Sequence, residues 1–517
     1  MRVKKMTAAE AIQLIKDGDT VVTGGFIGSG VPEEIELEIE KSFVETGKPE
    51  GLTLVYAAGQ GDGKDKGLNH FGHEKLVTKV IGGHWGLAPK LQKLALDNKV
   101  EAYNLPQGVI SHLFRDIAAG KPGTITHVGL KTFVDPRLEG GKINDVTKDE
   151  IVDLIELGGK EYLHYKPFKV DVALLRGTYC DEAGNITLEE EAVSLETLSI
   201  AQACRNSGGK VIVQVKKVVQ NGTLDPKLVK IPGIYVDAVV EVADEANHMQ
   251  TFATKYDSSY AGNSVIPLNA LKEMPLTERK IIARRCAMEL VPHSVVNLGI
   301  GVPEMVSNVA NEEGVGHEMV LTVESGPVGG VPAGGLDFGA TTNGHAILDQ
   351  PYQFDFYDGG GLDVAFLGLA QCDKKGNINV SKFGPKVAGC GGFINITQNA
   401  KKVVYCGTFT AGGLKVECAD GKLTVLNEGK VKKFIEDVEQ VTFSGDVALE
   451  KKQPVIYVTE RAVFEISKEG MVLTEIAPGI DLQTQVLDLM DFKPVVSENL
   501  KVMDERIFKE GKMGLTL

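Results

Sequence analysis

The sequence has no excess of basic residues. Its 517 residues include 55 lysines and arginines against 70 aspartates and glutamates, which leaves a net charge of -15. A protein that binds DNA or RNA over a broad face needs the opposite balance, because Lys and Arg must neutralise the phosphates. We therefore expect no nucleic-acid partner.

Long hydrophobic runs are also missing. No stretch reaches the ~18 apolar residues of a membrane helix, and polar residues interrupt the segment after the basic start Met1–Lys5. The seven cysteines are widely spaced and contain no C-x-x-C pair, which is typical of a reducing compartment. We expect a cytoplasmic protein that does not enter a membrane.

Several catalytic motifs are absent. There is no H-E-x-x-H and no acidic cluster at metal-ligand spacing, so no metal site is predicted. Neither a G-x-S-x-G nucleophile elbow nor a Walker A loop is present, which leaves serine hydrolase and P-loop chemistry without support. The glycine turns do not form the G-x-G-x-x-G fingerprint, so dinucleotide binding is weakly supported.

The pattern that is present is that of an α/β protein. Thr7 and Glu10 form a capping box, which predicts a helix from about Ala8 to Lys16. The apolar run Asp19–Thr23 then predicts a buried strand, and it leads into the glycine-rich turn Gly24–Pro32. Helix, strand, glycine turn and helix in succession indicate an α/β fold.

An internal repeat divides the chain into two halves. Asp171–Ile186 aligns with Asp363–Ile378 at a constant offset of 192 positions, and Lys210–Val213 aligns with Lys402–Tyr405 at the same offset. The repeat predicts two diverged copies of one α/β unit. We place domain one at 1–250, a linker at 251–275 and domain two at 276–517. Such a duplication either doubles a scaffold or places ligands where the copies face each other.

A carboxylate follows an apolar strand in the second half. Met319–Val323 predicts the strand, Glu324 comes next, and Ser325 and Gly326 begin a glycine-rich stretch. Open α/β sheets place active sites at the carboxyl ends of their strands, where glycines let a ligand approach the backbone. Glu324 is therefore a catalytic candidate, and the alternative is a solvated turn acid.

Two turns offer hydrogen-bond donors. Gln107 precedes Gly108, and a side-chain amide beside a backbone N–H is the type of pair that lines an oxyanion hole. The alternative is an Asn/Gln-rich turn without a ligand. The second turn, Lys386–Asn395, contains several glycines whose N–H groups could point at an anion.

These residues carry a resemblance to a known family. At Val323–Gly330, Asn297–Pro303, Pro106–Gly108 and Gly389–Gly392, and over essentially its whole length, the chain resembles the family I CoA-transferases. It is most similar to members whose single chain joins two subunits that other members keep separate. The resemblance implies two tandem, diverged open α/β domains with mostly parallel sheets, and a homo-oligomer.

The resemblance also implies a chemistry. CoA would pass reversibly between a short-chain acyl-CoA and a free short-chain carboxylate of the acetate or propionate class, in a ping-pong reaction through a glutamyl-CoA thioester on Glu324. Gln107 and the backbone N–H of Gly391 would hold the oxyanion. CoA is then a substrate, and neither a cofactor nor a metal is implied. The glycines implied to pass close to CoA are Gly299, Gly301, Gly329, Gly330 and Gly392.

Two other functions remain open at this point. Water could resolve the glutamyl intermediate, which would make the protein an acyl-CoA hydrolase. The same fold family also contains sugar-phosphate isomerases and ligand-sensing domains, but those lack the Glu-Ser-Gly strand end, and no DNA-binding appendage is found in this sequence. The preferred carboxylate stays open, because one methylene in a pocket is worth only ~1–3 kcal/mol.

Overall fold

The computed structural model describes residues 3–267 and 274–517, so residues 268–273 of the predicted linker 251–275 lie outside the described residues. The chain forms two compact units. The first contains residues 1–266, 323–355 and 385–395, and the second contains 267–322, 356–384 and 396–517.

This division differs from the predicted domains 1–250 and 276–517. Two segments of the second half, 323–355 and 385–395, belong to the first unit, and they carry Glu324 and Gly391. The predicted boundaries follow the ends of the sequence repeat, whereas these two segments leave the repeated strands and pack in the first unit. A repeat in sequence therefore does not mark where contacts divide the chain.

The helices and strands alternate along much of the chain, as the sequence predicts. The α-helices are α1 (Ala8–Ala11), α2 (Glu33–Thr46), α3 (Pro89–Leu96), α4 (Gln107–Ala118), α5 (Thr197–Asn206), α6 (Glu278–Ala287), α7 (Met305–Glu313), α8 (Gln350–Asp358), α9 (Phe393–Asn399), α10 (Gly445–Lys451) and α11 (Leu482–Gln485). The strands of the first half are β1 (Lys4–Met6), β2 (Thr20–Thr23), β3 (Leu52–Tyr56), β4 (Val77–Gly82), β5 (Glu101–Asn104), β6 (Thr124–Thr126), β7 (Val152–Leu157), β8 (Lys160–Tyr165), β9 (Val172–Asp181), β10 (Ile186–Thr187), β11 (Lys210–Val219), β12 (Val229–Ile231) and β13 (Ala238–Glu241). Those of the second half are β14 (Ser294–Leu298), β15 (Met319–Thr322), β16 (Pro327–Val328), β17 (Val331–Pro332), β18 (Thr341–Thr342), β19 (Ala346–Ile347), β20 (Val364–Gly368), β21 (Gln371–Cys372), β22 (Ile378–Asn379), β23 (Lys382–Phe383), β24 (Lys386–Val387), β25 (Val403–Cys406), β26 (Thr410–Ala411), β27 (Lys415–Ala419), β28 (Lys422–Asn427), β29 (Val431–Lys432), β30 (Val455–Val458), β31 (Ala462–Ser467), β32 (Gly470–Ile476) and β33 (Val495–Val502).

The main sheet of the first unit is parallel along its principal path. Its order is β1-β13-β11-β9-β2-β3-β4-β5, and each neighbouring pair runs parallel. Alternate residues of β9 enter different core clusters: Val172 and Leu174 lie in one, and Ala173 and Leu175 in the other. Burial on both faces explains why the strand reads as a continuous apolar run.

The main sheet of the second unit repeats part of this order. Strands β15-β14-β20-β25-β30 are parallel neighbours, and β31, β32 and β33 extend the sheet, with β30-β31 and β31-β32 antiparallel. The series β3-β2-β9-β11-β13 in the first unit has the same order, with the repeated segments in corresponding strands. The expectation of mostly parallel sheets from two diverged copies is confirmed.

The repeat also preserves one turn atom by atom. In the first copy, Asp181 Oδ1 accepts the N–H groups of Ala183 and Asn185 at 2.9 Å each, and Asn185 Nδ2 donates to Asp181 Oδ2 at 2.9 Å. In the second copy, Asn377 donates to Asp373 through its backbone N–H at 3.0 Å and through Nδ2 at 2.9 Å. The repeated Asp and Asn are therefore explained by the turn that they close.

No helix in the described part of the chain is both long and apolar enough to cross a membrane.

Candidate active site

Glu324 lies in a tight turn directly after β15. The Gly326 N–H donates to the Val323 carbonyl at 3.0 Å, and the Val323 N–H donates to the Pro327 carbonyl at 3.0 Å. Ser325 Oγ is buried and donates to the Gly339 carbonyl at 2.7 Å. The Glu-Ser-Gly sequence thus builds a turn in which the half-buried Glu324 is held by its neighbours.

Glycine is required at Gly326. Its φ is +128°, and a Cβ there would lie 2.0 Å from the Leu348 carbonyl oxygen. Val323, on the other side of Glu324, is 4% exposed and belongs to an apolar cluster with Phe26 and Phe338. Packing before Glu324 and a close backbone contact after it fix the position of the carboxylate.

The other predicted side chain, Gln107, is buried at the start of α4. It is 2% exposed, and its backbone N–H donates to the Gly391 carbonyl at 2.9 Å. Its Nε2 donates to Gln350 Oε1 at 3.3 Å. The neighbouring Gly108 has no room for a side chain, because a Cβ there would lie 2.5 Å from Asn395 Nδ2.

Helix α8 connects the surroundings of both predicted side chains. Gln350 and Gln353 lie three residues apart, so they project from one side of this helix. Gln350 contacts the Gln107 amide, and Gln353 Nε2 donates to the Val323 carbonyl at 3.1 Å. The structure therefore links Gln107 and the Glu324 turn through one helical turn, within one compact unit.

The prediction for Gly391 needs a correction. Its N–H donates to the Gly83 carbonyl at 2.7 Å and is therefore occupied, so it is not free to bind an oxyanion. Gly391 has φ +50°, and its carbonyl faces Gln107 instead. Among the described residues, the next N–H, that of Gly392, makes no hydrogen bond. Gly392 is the better candidate for a backbone donor in this turn.

Asn104 joins the two loops that surround Gln107. Its Nδ2 donates to the carbonyls of Gly82 and Gly83 at 2.9 and 2.7 Å, and its Oδ1 accepts the Cys390 N–H at 2.9 Å. These bonds hold the loop after β4 against the loop before α9, as does the bond from the Trp85 N–H to the Ala388 carbonyl at 2.7 Å.

His84 lies on the same loop after β4. A Cβ at Gly391 would lie 3.7 Å from Gln107 Oε1 and 3.9 Å from His84 Cβ, so the three residues are neighbours. Burial lowers the pKa of His84 to about 4. The imidazole is therefore neutral at pH 7.

The remaining predicted glycines differ in their surroundings. A Cβ would lie 2.7 Å from the Leu367 side chain at Gly299, 2.3 Å from His345 at Gly329 and 2.4 Å from the Thr342 carbonyl at Gly330. Packing within the protein therefore explains glycine at these three positions. Gly301, with φ +88°, has no atom within 4 Å of its Cβ position and is exposed.

Sequence reasoning missed His84, Asn104, Gln350 and Glu196. Asn104 is the last residue of β5, and His84 follows β4 by two residues with Gly83 beside it, which are weak signals. No sequence pattern marks Gln350 or Glu196, because Gln350 lies 243 positions from Gln107 and 154 positions from Glu196. Among the described residues, no group of three or more His, Cys, Asp or Glu could hold a metal ion.

The chain belongs to the coenzyme A transferase family, whose model matches residues 5–242. A caffeate CoA-transferase from Acetobacterium woodii is 50% identical over 517 residues, 99% of this chain and 98% of the relative. The acetate CoA-transferase YdiF from Escherichia coli is 45% identical over 519 residues, 100% of this chain and 97% of the relative. The crystal structure of the acyl-CoA transferase YdiF as a thioester complex with CoA matches with a TM-score of 0.94 at 44% identity, over 100% of this chain and 98% of that one.

These similarities confirm the family expected from the sequence. The full-length relatives at 45–50% identity make this chain a CoA-transferase, an enzyme that moves CoA between an acyl-CoA and a carboxylate.

Proposed function

We propose that the protein transfers CoA reversibly between a short-chain acyl-CoA and a free short-chain carboxylate of the acetate or propionate class, with Glu324 as the nucleophile. The observation that carries the proposal is the turn after β15, which holds a carboxylate at a strand end in the same unit as the Gln107 amide. A carboxylate is ionised at pH 7 when its pKa is near the usual 4.3, so attack needs no separate base.

The reaction proceeds through covalent intermediates. Glu324 attacks the acyl-CoA carbonyl, the carbon–sulfur bond breaks, and CoA leaves as a thiolate from the mixed acyl-glutamyl anhydride. The thiolate then attacks the glutamyl carbonyl, which releases the free acid and leaves glutamyl-CoA. A second carboxylate reverses both steps and regenerates Glu324. One thioester is exchanged for another, so no ATP is consumed.

Each attack forms a tetrahedral oxyanion that needs hydrogen-bond donors. Gln107 Nε2 carries two hydrogens, one of which is directed to Gln350, so the other is available to the oxyanion. The Gly392 N–H supplies a second donor in place of the Gly391 N–H named from the sequence. CoA itself is a substrate in this scheme, and no cofactor takes part.

The identity of the acid that accepts CoA is decided by experiment. The two relatives differ in the acid for which they are named, since one is a caffeate and the other an acetate CoA-transferase. A panel of acetate, propionate, butyrate, lactate and caffeate with acetyl-CoA as donor ranks these acids.

The exposed, open position at Gly301 is a candidate contact for the CoA arm. We also propose a cytoplasmic homo-oligomer.

The covalent intermediate gives the direct test. Incubation with an acyl-CoA alone should leave CoA attached to the peptide that contains Glu324, and borohydride should reduce this thioester and change the peptide mass. Glu324→Ala should abolish both labelling and exchange. Glu324→Asp withdraws the carboxylate by one methylene, which exceeds the ~1 Å misplacement that can cost a hundredfold, so exchange should be severely slowed.

Glu318→Ala is the matched control, because Glu318 lies at the opposite end of the same strand, immediately before β15. This variant should label and exchange like the wild type. A label on any residue other than Glu324, or near wild-type exchange by Glu324→Ala, contradicts the proposal. Hydrolysis of acetyl-CoA that needs no second carboxylate would indicate a hydrolase instead.

A further inference from the structure

A buried row of three side chains ends at the Gln107 amide. Glu196, at the start of α5, accepts a hydrogen bond from Gln350 Nε2 on its Oε2 at 2.8 Å. Gln350 Oε1 in turn accepts from Gln107 Nε2 at 3.3 Å. The exposed fractions are 1% for Glu196, 0% for Gln350 and 2% for Gln107, so bulk water does not replace these contacts.

The row has a direction, and the carboxyl group sets it. A carboxylate only accepts hydrogen bonds, so Gln350 must present its NH2 group to Glu196 and its oxygen to Gln107. The Gln107 amide must then present its own NH2 group to Gln350. An amide that turned over would place two oxygens in contact, which costs the bond and adds repulsion. The acceptor at Glu196 therefore determines which end of Gln107 carries the donors.

Glu196 is costly to bury, because only one of its two oxygens is paired. Its second oxygen, Oε1, has no hydrogen-bond partner among the described side chains and backbone groups. Burial raises the pKa of the Glu196 carboxyl to about 8, and the charge of Asp349 also raises it. The row keeps its direction in the protonated state when the proton lies on Oε1, the oxygen without a partner, because Oε2 then still accepts from Gln350 Nε2. Buried, incompletely paired carboxyls are concentrated at functional sites.

We propose that Glu196 is a positioning residue for CoA transfer, which acts through Gln350 to hold the Gln107 amide with its NH2 group toward the reacting carbonyl. This inference rests on the proposed role of Gln107 as an oxyanion donor. Glu196 makes no contact with the substrates in this scheme. Its effect should therefore appear in kcat, with KM little changed, and should disappear when Gln107 is removed.

A double-mutant cycle tests the inference. Glu196→Leu removes the acceptor at similar volume and should lower kcat about ten- to a hundredfold, the range expected for a misoriented catalytic group. In a Gln107→Ala background, the same substitution should change kcat by less than about twofold, because the group it positions is gone. Glu196→Gln restores an acceptor oxygen and should recover most of the rate lost in Glu196→Leu.

Glu36→Leu is the matched control. Glu36 is also fully buried, and burial is the main cause that raises its pKa to about 8. One of its oxygens accepts from Thr23 and the other has no partner among the described residues, but it makes no hydrogen bond to Gln107. The kcat of this variant should be that of the wild type. If Glu196→Leu does not fold, as judged by circular dichroism and elution volume, Gln350→Met interrupts the same row and carries the same expectations.

The outcomes separate the two proposals. Equal losses from Glu196→Leu in both backgrounds, or no loss in the wild-type background, overturn the positioning role. A fully active Gln107→Ala variant also overturns it, while CoA exchange stands. A wild-type chain that does not exchange CoA refutes the proposed function itself.

Discussion

At Gln107, one amide hydrogen is directed to Gln350 and the other has no acceptor among the described residues. If that hydrogen binds the oxyanion, Gln107→Ala should lower kcat about a hundred- to a thousandfold without loss of fold. Gln202→Ala is the control, since Gln202 lies on α5 and its Nε2 donates to the Tyr235 hydroxyl at 3.2 Å, not to a member of this row. A loss below about threefold in steady-state exchange assays, far under the usual range for such a donor, would remove Gln107 from the site.

Single residues also show which parts of the site can be predicted from sequence. Glu324 and Gln107 stand out because each combines a reactive or donor side chain with a strand end and adjacent glycine. Glu196 could not be found this way, because its role depends on a partner that only folding brings close. The sequence predicted that the Gly391 N–H binds an oxyanion, but in the structure this N–H donates to the Gly83 carbonyl. The direction of a backbone N–H depends on the folded chain and cannot be read from the sequence.

Between elements, we expect the contact of helix α2 with the short 3-10 segment Leu68–Phe71 to respond to pH, because His70 joins the two. His70 lies with Nε2 3.0 Å from Glu33 and Nδ1 2.5 Å from Glu40. Burial opposes its charged form, but the hydrogen bond and charge of Glu33, followed by Glu40 and Glu36, outweigh burial and raise the pKa of His70 to about 9.

Because the pKa of His70 is higher in the folded state, the charged imidazole stabilises the fold fully below the unfolded pKa of about 6.5. This stabilisation is lost as pH rises through about 9. Thermal unfolding should therefore show a lower Tm at pH 9 than at pH 6.5, and the difference should shrink in His70→Gln. A pH dependence identical in the two proteins would show that His70 is not responsible.

The element scale also shows the limits of the sequence patterns. The capping box at Thr7 is present, with the Thr7 N–H donating to Glu10 Oε2 at 2.8 Å. The helix it begins ends at Ala11 and continues as a 3-10 turn, Ile12–Leu14, rather than extending to Lys16. The start of the helix depends on local side chains and can be predicted from the sequence. Its end depends on the packing of Ile12 and Ile15 in the core.

For the whole molecule, the covalent route predicts the form of the kinetics. The first acid must leave before the second enters, so double-reciprocal plots at several fixed concentrations of the second substrate should be parallel. On the proposed route no ternary complex is needed, since a glutamyl thioester on Glu324 would store the CoA group between half-reactions. Intersecting lines in initial-rate measurements would contradict this route.

The duplication was visible in the sequence because its two copies keep a constant offset of 192 positions and a closely similar turn. Its outcome in three dimensions, two mostly parallel sheets, was predicted correctly. The assignment of 323–355 and 385–395 to the first unit was not predicted, because long-range packing, rather than any property of those segments, determines it.

The shared strand order has a consequence for the roles of the two copies. Strand β15 corresponds to β3, so the position that carries Glu324 in one copy corresponds to the residues after Tyr56 in the other, which are Ala57 and Ala58. Neither alanine can attack a thioester, and both are buried. The two copies are therefore not interchangeable: on the proposed mechanism the copy with Glu324 supplies the nucleophile, and the copy with the two alanines supplies the Gln107 amide that meets the oxyanion.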